Sequence, residues 1–219
     1  IKPLRVARIK ALLFDLDGVI VSTEKNHFEA WRETASKLGI SFSEHDNEAL
    51  KGVNRVDSLK QILSHGNKAV SDEEFESLLV FKNDMYLDSI TTLSKADLLP
   101  GVHELLLQAR SMGIKIGLGS SSKNAPMILN RLGITELFDV IIDGNGVTHP
   151  KPNPEVFLNG AMALELSPSD CLVFEDASSG VAAAKAGGFI AIGVGNPMLK
   201  GVADVYFNEL TEFRLEAYA

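Results

Sequence analysis

The sequence has little of what marks secreted or membrane proteins. Its 219 residues include one cysteine, Cys171, so no intrachain disulfide bond can form. Cys171 lies in the apolar segment CLVF, where we expect an unreactive, buried thiol. No apolar run approaches the ~18 residues that a membrane-spanning helix needs, and the basic N-terminal residues are not followed by a secretory-type apolar segment. We therefore expect a protein of a reducing compartment, the cytoplasm, without a membrane partner.

The sequence also lacks an excess of positive charge. Its formal net charge is −8 and its isoelectric point is about 5.1, and no basic stripe is present. This charge argues against nucleic acid as a partner. With 45% hydrophobic residues and a mean hydropathy of +0.09, the chain can bury a sizeable core. We expect a monomer made of one main domain and a smaller one.

Short apolar runs alternate with helical patterns along most of the chain. Each run has the length of a strand and is evenly hydrophobic, as strands covered on both faces are. The runs are residues 9–15, 114–120, 139–143, 171–176 and 189–195. Between them, glycines and prolines delimit helices such as NAPMILNRLG, for which Asn124 is the expected N-cap. This order predicts an α/β fold, a doubly wound, Rossmann-like parallel sheet.

One segment interrupts this alternation. Between the first strand and the strand at 114–120, the sequence reads as four or five helices, and the LLPG segment at 98–101 indicates the return to the sheet. We therefore predict a helical cap domain inserted after the first strand. The predicted boundaries give a core of residues 1–21 and 97–219 and a cap of residues 22–96.

Polar side chains follow four of the predicted strands. They are Asp15 and Asp17, Ser120, Ser121 and Ser122, Lys151 in the loop after the third strand, and Glu175 and Asp176. Ligands of open parallel sheets bind at the carboxyl ends of the strands, so these groups are expected to meet there. Two carboxylates ~4 Å apart repel by about 4 kcal/mol at an effective dielectric constant of ~20. Because the set contains no histidine or cysteine, Mg²⁺ is the cation that it favours.

Such a site is suited to phosphoryl transfer. Asp15 would attack phosphorus and form an aspartyl-phosphate, and Asp17 would exchange a proton with the leaving and attacking oxygens. Lys151 and the serine hydroxyls, Ser120 among them, would hold the remaining phosphoryl oxygens. Each motif alone also fits a structural role. Two aspartates at a strand end can begin a turn, EDASSG can cap a helix, and a lysine between prolines is often solvated.

The motifs together resemble those of the haloacid dehalogenase-like superfamily of phosphotransferases. They are DLDGV at 15–19, GSSSKN at 119–124, KPNPEVF at 151–157 and FEDASSGV at 174–181. The resemblance implies Asp15 as the nucleophile, Asp17 as the acid/base and Mg²⁺ as the cofactor. It places the metal between the Asp15 side chain, the Asp17 main-chain carbonyl and Asp176, with Glu175 close by.

The cap segments EKNHFEAW and EALKGVNRVDSLKQIL are similar to those of sugar-phosphate mutases in this superfamily. Such enzymes move a phosphoryl group between C1 and C6 of glucose through a bisphosphate, which implies a sugar phosphate as substrate and a hexose bisphosphate as activator. By this resemblance, the substrate-binding residues are Thr23, His27, Trp31, Lys51, Gly52, Arg55, Ser58, Lys82, Ser121, Ser122 and Asn124.

Two residues depart from the pattern of the superfamily, and two other functions remain open. Relatives commonly carry aspartate at the position of Ser22, and many carry alanine at that of Ser121. A hexose- or polyol-phosphate phosphatase on the same scaffold is the main alternative to a mutase. A non-catalytic sugar-phosphate sensor is a third hypothesis, which the intact Asp15, Asp17 and Lys151 disfavour. Trp31 also fits the core of the cap, and Lys51 also fits a solvated face.

Overall fold

The computed structural model describes residues 8–51 and 53–219. The chain divides into two compact units, of which one contains the chain up to Ser22 together with Leu93–Ala219, and the other is Thr23–Thr92. We call the first the sheet unit and the second the helical unit. The functional assignment of these units as catalytic core and cap remains a prediction.

The sheet unit is built on six parallel strands. They are β1 (Ala11–Phe14), β2 (Lys115–Gly119), β3 (Val140–Ile142), β4 (Cys171–Glu175), β5 (Ile190–Val194) and β6 (Val205–Phe207). The spatial order is β3-β2-β1-β4-β5-β6, and every neighbouring pair is parallel. The predicted doubly wound α/β fold is confirmed, although the sequence analysis missed β6, whose three residues are only partly buried.

The central strand β1 is covered on both faces. Because successive side chains of a strand point to opposite faces, Ala11 and Leu13 pack with Phe157 in one hydrophobic cluster. On the opposite face, Phe14 stacks on Phe174 of β4 with ring centroids 4.8 Å apart. Burial on both faces explains why β1 reads as a continuous apolar run rather than as an alternating one.

Four helices of the helical unit lie within the described residues. They are α1 (Glu24–Lys37), α2 (Glu44–Glu48), α3 (Arg55–His65) and α4 (Asp72–Ile90). Polar side chains start three of them: Ser43, Asn54 and Ser71 each accept a hydrogen bond from the backbone N–H three residues later. The apolar faces of these helices form a separate core that includes Trp31 and Leu59.

The sheet unit contributes the remaining four α-helices of the described chain, which connect or follow its strands. They are α5 (Val102–Ser111), α6 (Ala125–Leu132), α7 (Glu155–Ala163) and α8 (Ser178–Ala186). Asn124 occupies the N-cap position of α6, as expected, but its side chain makes no capping hydrogen bond. Instead, its backbone N–H donates to the Ser122 hydroxyl oxygen at 3.1 Å, so this serine organises the start of α6.

Within residues 8–51 and 53–219, none of the helices combines the length and apolar character that crossing a lipid bilayer demands.

Candidate active site

Asp15 lies directly after β1, at the carboxyl edge of the sheet. Its backbone N–H donates to the carbonyl of Phe174 at 3.0 Å, which fixes the main chain against β4. Its side chain keeps 15% of its surface exposed, and one carboxylate oxygen, Oδ1, accepts a hydrogen bond from Lys151 at 3.0 Å. Asp15 is therefore held on one side by a cation and reachable from solvent on another.

Lys151 is buried rather than solvated. Its ammonium group donates to Asp15 Oδ1 at 3.0 Å, to the Gly119 carbonyl at 3.1 Å and to Glu175 Oε2 at 2.6 Å. It also lies 4.9 Å from the ring centroid of Phe157. Burial alone would lower the pKa of Lys151, but the two carboxylates outweigh it and raise that pKa, so the side chain stays charged.

Three carboxylates crowd around this edge. Asp15, Glu175 and Asp176 each offer an oxygen within 4.8 Å of the others. Burial, reinforced by Asp15 and Asp17, raises the pKa of Asp176 to about 7. Burial and Asp15 also raise the pKa of Glu175, whose Oε1 is buried without a hydrogen-bond partner. The cluster therefore contains more carboxyl groups than the single ammonium group of Lys151 can neutralise when they are all ionised.

This donor set fits a hard divalent cation. A cation among the three carboxylates would relieve their repulsion and give the orphaned Glu175 oxygen a partner. The Asp17 side chain is not a member of the three-carboxylate cluster, and the resemblance implied metal binding by the main-chain carbonyl of Asp17 rather than by its side chain. The predicted metal-binding residues Asp15, Glu175 and Asp176 thus lie together.

Two glycines make room for these carboxylates. A Cβ atom on Gly18 would lie 1.9 Å from Asp176 Oδ2, and one on Gly180 would lie 1.9 Å from the carboxyl carbon of Glu175. Gly18 also has a φ of +84°, a left-handed conformation that favours glycine, as a tight turn after Asp17 requires. Sequence reasoning anticipated Gly18 but missed Gly180, because a glycine in the first turn of a helix carries no such signal.

Asn196 is a further residue that the sequence analysis missed. Its side-chain amide donates to the main-chain carbonyl of Asp176 at 3.1 Å. Its side-chain oxygen, Oδ1, accepts a hydrogen bond from the backbone N–H of Met198 at 3.1 Å. Asn196 therefore links the segment after β5 to the end of β4, and only the sheet order brings the two together.

The three serines after β2 form a compact turn. The hydroxyl oxygens of Ser120 and Ser122 each accept a backbone N–H from two residues further on, at 3.1 Å. A hydroxyl that accepts such a bond still has its own hydrogen to donate. Ser120 is buried, whereas Ser121 is exposed, so the three predicted ligands have different environments.

In the helical unit, the buried Lys82 pairs with the partly buried His27. Lys82 Nζ lies 2.9 Å from His27 Nδ1 and 4.7 Å from the ring centroid of Trp31. His27 stacks on Tyr86 with ring centroids 4.0 Å apart. Burial, together with Lys82 and Arg55, lowers the pKa of His27 to about 3, and burial with Arg55 lowers that of Lys82 to about 7. Trp31 belongs both to the core of this unit and to the surroundings of Lys82.

The other predicted substrate residues of the helical unit differ in exposure. Lys51 is half exposed and pairs with Glu24 at 3.1 Å and Glu48 at 3.2 Å. Arg55 is exposed at the start of α3, whereas the buried Ser58 donates to the Val53 carbonyl at 3.4 Å.

Two predicted positions need separate mention. Thr23 is buried at the N-cap position of α1, where its side chain makes no capping hydrogen bond. Gly52 lies outside the described residues.

Known proteins are similar to this chain in sequence and in structure. The family model of haloacid dehalogenase-like hydrolases matches residues 9–188. The β-phosphoglucomutase of Bacillus subtilis is 43% identical, over 95% of this chain and 93% of that protein. The crystal structure of β-phosphoglucomutase from Clostridium difficile superposes with a TM-score of 0.85 at 41% identity, covering 95% of this chain and 94% of that one.

A phosphatase is also among the relatives. Fructose-1-phosphate phosphatase of Escherichia coli is 34% identical, over 85% of this chain and 97% of that protein. Similarity to the chain therefore extends to proteins named for two different outcomes, transfer of a phosphoryl group within a sugar and release of phosphate.

Proposed function

Because this chain belongs to the haloacid dehalogenase-like hydrolase family, we propose that its phosphotransferase activity is that of a sugar-phosphate mutase. The proposed reaction interconverts β-glucose 1-phosphate and glucose 6-phosphate through an aspartyl-phosphate and a hexose bisphosphate. The observation that carries the proposal is the Asp15–Lys151–Glu175 constellation at the carboxyl edge of the sheet. The 43% identity to a β-phosphoglucomutase supports the mutase outcome.

In the proposed first step, an Asp15 oxygen attacks phosphorus. A phosphorus–oxygen bond to Asp15 forms as the bond between phosphorus and the sugar oxygen breaks. Lys151, which touches both Asp15 and Glu175, supplies positive charge where the transferring oxygens become more negative. The exposed part of the Asp15 side chain provides the face that phosphorus approaches.

Asp17 is the proposed proton carrier. It gives its proton to the departing sugar oxygen and takes one from the hydroxyl that attacks the aspartyl-phosphate in the second step. Two carboxylates are needed because one must be ionised as nucleophile while the other is protonated. Val21 forms an isolated bridge with Asp17, and Gly18 donates to the Val21 carbonyl at 2.8 Å, which supports a fixed position for this turn.

Mg²⁺ is the proposed cofactor, held by Asp15, Glu175 and Asp176 with the main-chain carbonyl of Asp17. When bound, it would neutralise phosphoryl charge and orient the group for in-line transfer. The crowding of three carboxylates and the orphaned oxygen of the buried Glu175 support this assignment.

We further propose that the helical unit binds the sugar and its second phosphate. A mutase must hold a phosphate that is not reacting, and the planar guanidinium of Arg55 suits that role. Lys51 supplies a second cation, although it already pairs with two glutamates. The partly buried pair of His27 and Lys82 offers polar groups among aromatic rings, as sugar sites require.

A product analysis tests the proposed function. Purified protein is given β-glucose 1-phosphate, Mg²⁺ and a catalytic amount of hexose bisphosphate, and both glucose 6-phosphate and inorganic phosphate are measured. We expect glucose 6-phosphate as the main product, with turnover abolished in Asp15→Asn. Release of phosphate without glucose 6-phosphate would overturn the mutase proposal, and full turnover by Asp15→Asn would overturn the covalent mechanism.

The variant Arg55→Gln separates mutase from phosphatase. Losing a charge-assisted phosphate contact should lower kcat/KM of the mutase reaction roughly 10- to 100-fold. Lys60→Gln is the matched control, because Lys60 is an exposed cation on the same helix α3. Equal effects of the two variants would mean that Arg55 contributes only general charge.

The second candidate function is a sugar-phosphate phosphatase. The 34% identity to fructose-1-phosphate phosphatase favours it specifically. In that case water rather than a sugar hydroxyl attacks the aspartyl-phosphate. A screen of phosphorylated sugars, with and without bisphosphate, distinguishes the two because only the mutase depends on the activator.

A further inference from the structure

We propose that Glu155 is a positioning residue that fixes the loop from which Lys151 reaches Asp15. The inference rests on the proposed role of Lys151 beside the reacting phosphate, but it applies equally to a mutase and a phosphatase. Among the described residues, Glu155 makes no hydrogen bond to Asp15, Glu175 or Asp176, so we expect it to act through the loop.

Glu155 closes the loop on itself. One carboxylate oxygen, Oε2, accepts hydrogen bonds from the backbone N–H groups of Thr148 at 2.9 Å and His149 at 2.5 Å. The imidazole Nδ1 of His149 lies 3.6 Å from the same oxygen. The N–H groups of His149 and Thr148 lower the pKa of Glu155 and outweigh the opposing effect of burial, so the carboxylate is ionised at neutral pH.

Lys151 lies in the middle of the closed segment. Residues 148–154 contain no helix or strand, so no ladder of backbone hydrogen bonds holds them. The contacts within the segment are local: the Asn153 N–H donates to the Pro150 carbonyl at 2.9 Å, and the Glu155 N–H donates to Asn153 Oδ1 at 3.0 Å. The bonds from Thr148 and His149 to Glu155 join the two ends of this segment across Lys151.

Helix α7, which begins at Glu155, holds this residue in a fixed position. Glu155 is the first residue of α7, and the next two residues, Val156 and Phe157, are 2% and 0% exposed. The Phe157 ring packs so tightly on β2 that a Cβ atom on Gly119 would lie 2.8 Å from it. The same ring lies beside the Lys151 ammonium. The first turn of α7 therefore contacts the loop through Glu155, and it contacts both the Lys151 ammonium group and the end of β2 through Phe157.

A simpler role for Glu155 must be separated from this one. An acidic residue in the first turn favours any helix through the macrodipole, and its loss would lower stability without acting on Lys151. The two roles differ in their coupling. A positioning residue has an effect only while Lys151 is present, whereas a purely structural residue has the same effect with or without it.

The test is a double-mutant cycle of Glu155→Ala and Lys151→Ala in the full chain. Two quantities are measured: kcat for the substrate that the wild type turns over fastest, and the dissociation constant of inorganic phosphate by calorimetry. We expect Glu155→Ala to lower kcat and weaken phosphate binding roughly tenfold when Lys151 is present. In the Lys151→Ala background, we expect Glu155→Ala to change neither quantity more than about twofold.

Two further variants guard the interpretation. Glu155→Gln keeps an oxygen that can accept both backbone N–H groups, so it should retain most of the wild-type kcat. If Glu155→Ala does not fold, Glu155→Met, which lacks that oxygen but keeps most of the side-chain volume, replaces it in the cycle. Asp170→Ala removes another carboxylate that accepts a backbone N–H, that of Ser167, and should leave kcat unchanged.

The proposal would be overturned if Glu155→Ala changed kcat and phosphate binding by the same factor in both backgrounds. It would also be overturned if Glu155→Ala had no effect in the wild-type background. Failure of the proposed function is recognised separately. A wild type that releases phosphate instead of forming glucose 6-phosphate still allows the cycle to be measured with that reaction. A wild type without turnover still allows it with phosphate binding.

Discussion

Lys82 brings an amine into the aromatic interior of the helical unit, where it is 4% exposed and lies near the rings of Trp31 and Tyr86. When Lys82 donates to His27 Nδ1, that nitrogen carries no proton, which agrees with the lowered pKa of His27. Two basic groups that share one site each disfavour the charge of the other. The stability of the helical unit should therefore depend on pH in two ranges, an acidic one set by His27 and an alkaline one set by Lys82.

The alkaline range gives a prediction for the effect of Lys82 on stability. Its pKa is about 7 in the folded protein against 10.5 for an unperturbed lysine, so the unfolded chain binds more protons between these values. The free energy of unfolding should therefore rise with pH from about 7 to 10.5, by up to about 1.4 kcal/mol per pH unit. In Lys82→Met this rise should be absent, as urea unfolding at several pH values would measure.

Lys60→Met is the control for this prediction, because Lys60 is exposed on the neighbouring helix α3. It should keep the wild-type rise. A Lys82→Met variant with an unchanged pH dependence would mean that the Lys82 amine is hydrated, and that its burial does not lower its pKa.

The loop that follows β3 acts as a support for the serine turn that follows β2. The N–H of Gly144 donates to the Ser122 carbonyl at 3.0 Å, and the N–H of Ser120 donates to the Ile142 carbonyl at 2.9 Å. Parallel pairing of β2 with β3 brings these strand ends together. The position of the serine hydroxyls therefore depends on Ile142 and Gly144, at the start of this loop, neither of which is a predicted catalytic residue.

Gly144→Ala tests this dependence at the scale of the element. The new Cβ would lie 2.4 Å from the Ser121 carbonyl oxygen, so the serine turn must shift. We expect a loss of stability of about 1–3 kcal/mol and a fall in kcat of roughly tenfold or more. Thermal unfolding and steady-state kinetics measure the two effects.

Gly146→Ala is the matched control in the same loop, because its Cβ would come no closer than 3.8 Å to the Asp143 carbonyl. It should leave kcat close to that of the wild type. If both variants lose activity equally, flexibility of the loop rather than contact with the serine turn is responsible.

At the scale of the whole molecule, the sheet concentrates negative charge at one edge of an already acidic chain. The net charge is −8, and three carboxylates of the described residues lie within 4.8 Å of one another. Such a cluster costs folding free energy unless protons or a cation neutralise it. Folding stability should therefore be linked to the binding of divalent cations.

Asp176→Asn tests this linkage. At pH 8 without divalent cations, the variant should unfold at a higher temperature than the wild type, because it removes an unfavourable negative charge. Burial and Asp15 raise the pKa of the Asp176 carboxyl group to about 7, so this group is mostly ionised at pH 8. Mg²⁺ at 100 times its dissociation constant should stabilise the wild type by about 2.7 kcal/mol and the variant much less. Thermal unfolding with and without Mg²⁺ measures both effects.

Asp97→Asn provides the comparison, because Asp97 is an exposed capping carboxylate that accepts the Ser94 N–H. It should respond to Mg²⁺ as the wild type does. An equal Mg²⁺ response in Asp176→Asn would show that this residue is not part of the metal site.

The sequence by itself determined the features that local patterns encode. Evenly apolar runs predicted β1 to β5, since burial on both faces leaves a signal in each strand alone. The order of the motifs predicted that Asp15, Lys151 and Glu175 would meet, because parallel strands end at one edge. β6 escaped prediction because its three residues are only partly buried and lack such a run.

Only the tertiary structure decided how distant side chains are paired. Lys82 and His27 are 55 positions apart, and Lys151 and Asp15 are 136 apart, so no periodicity relates them. The orphaned oxygen of Glu175 and the space that Gly180 leaves for it are likewise products of packing. Local patterns report which face of an element is buried, whereas the contacts that set the charge and position of a side chain depend on the neighbours that packing supplies.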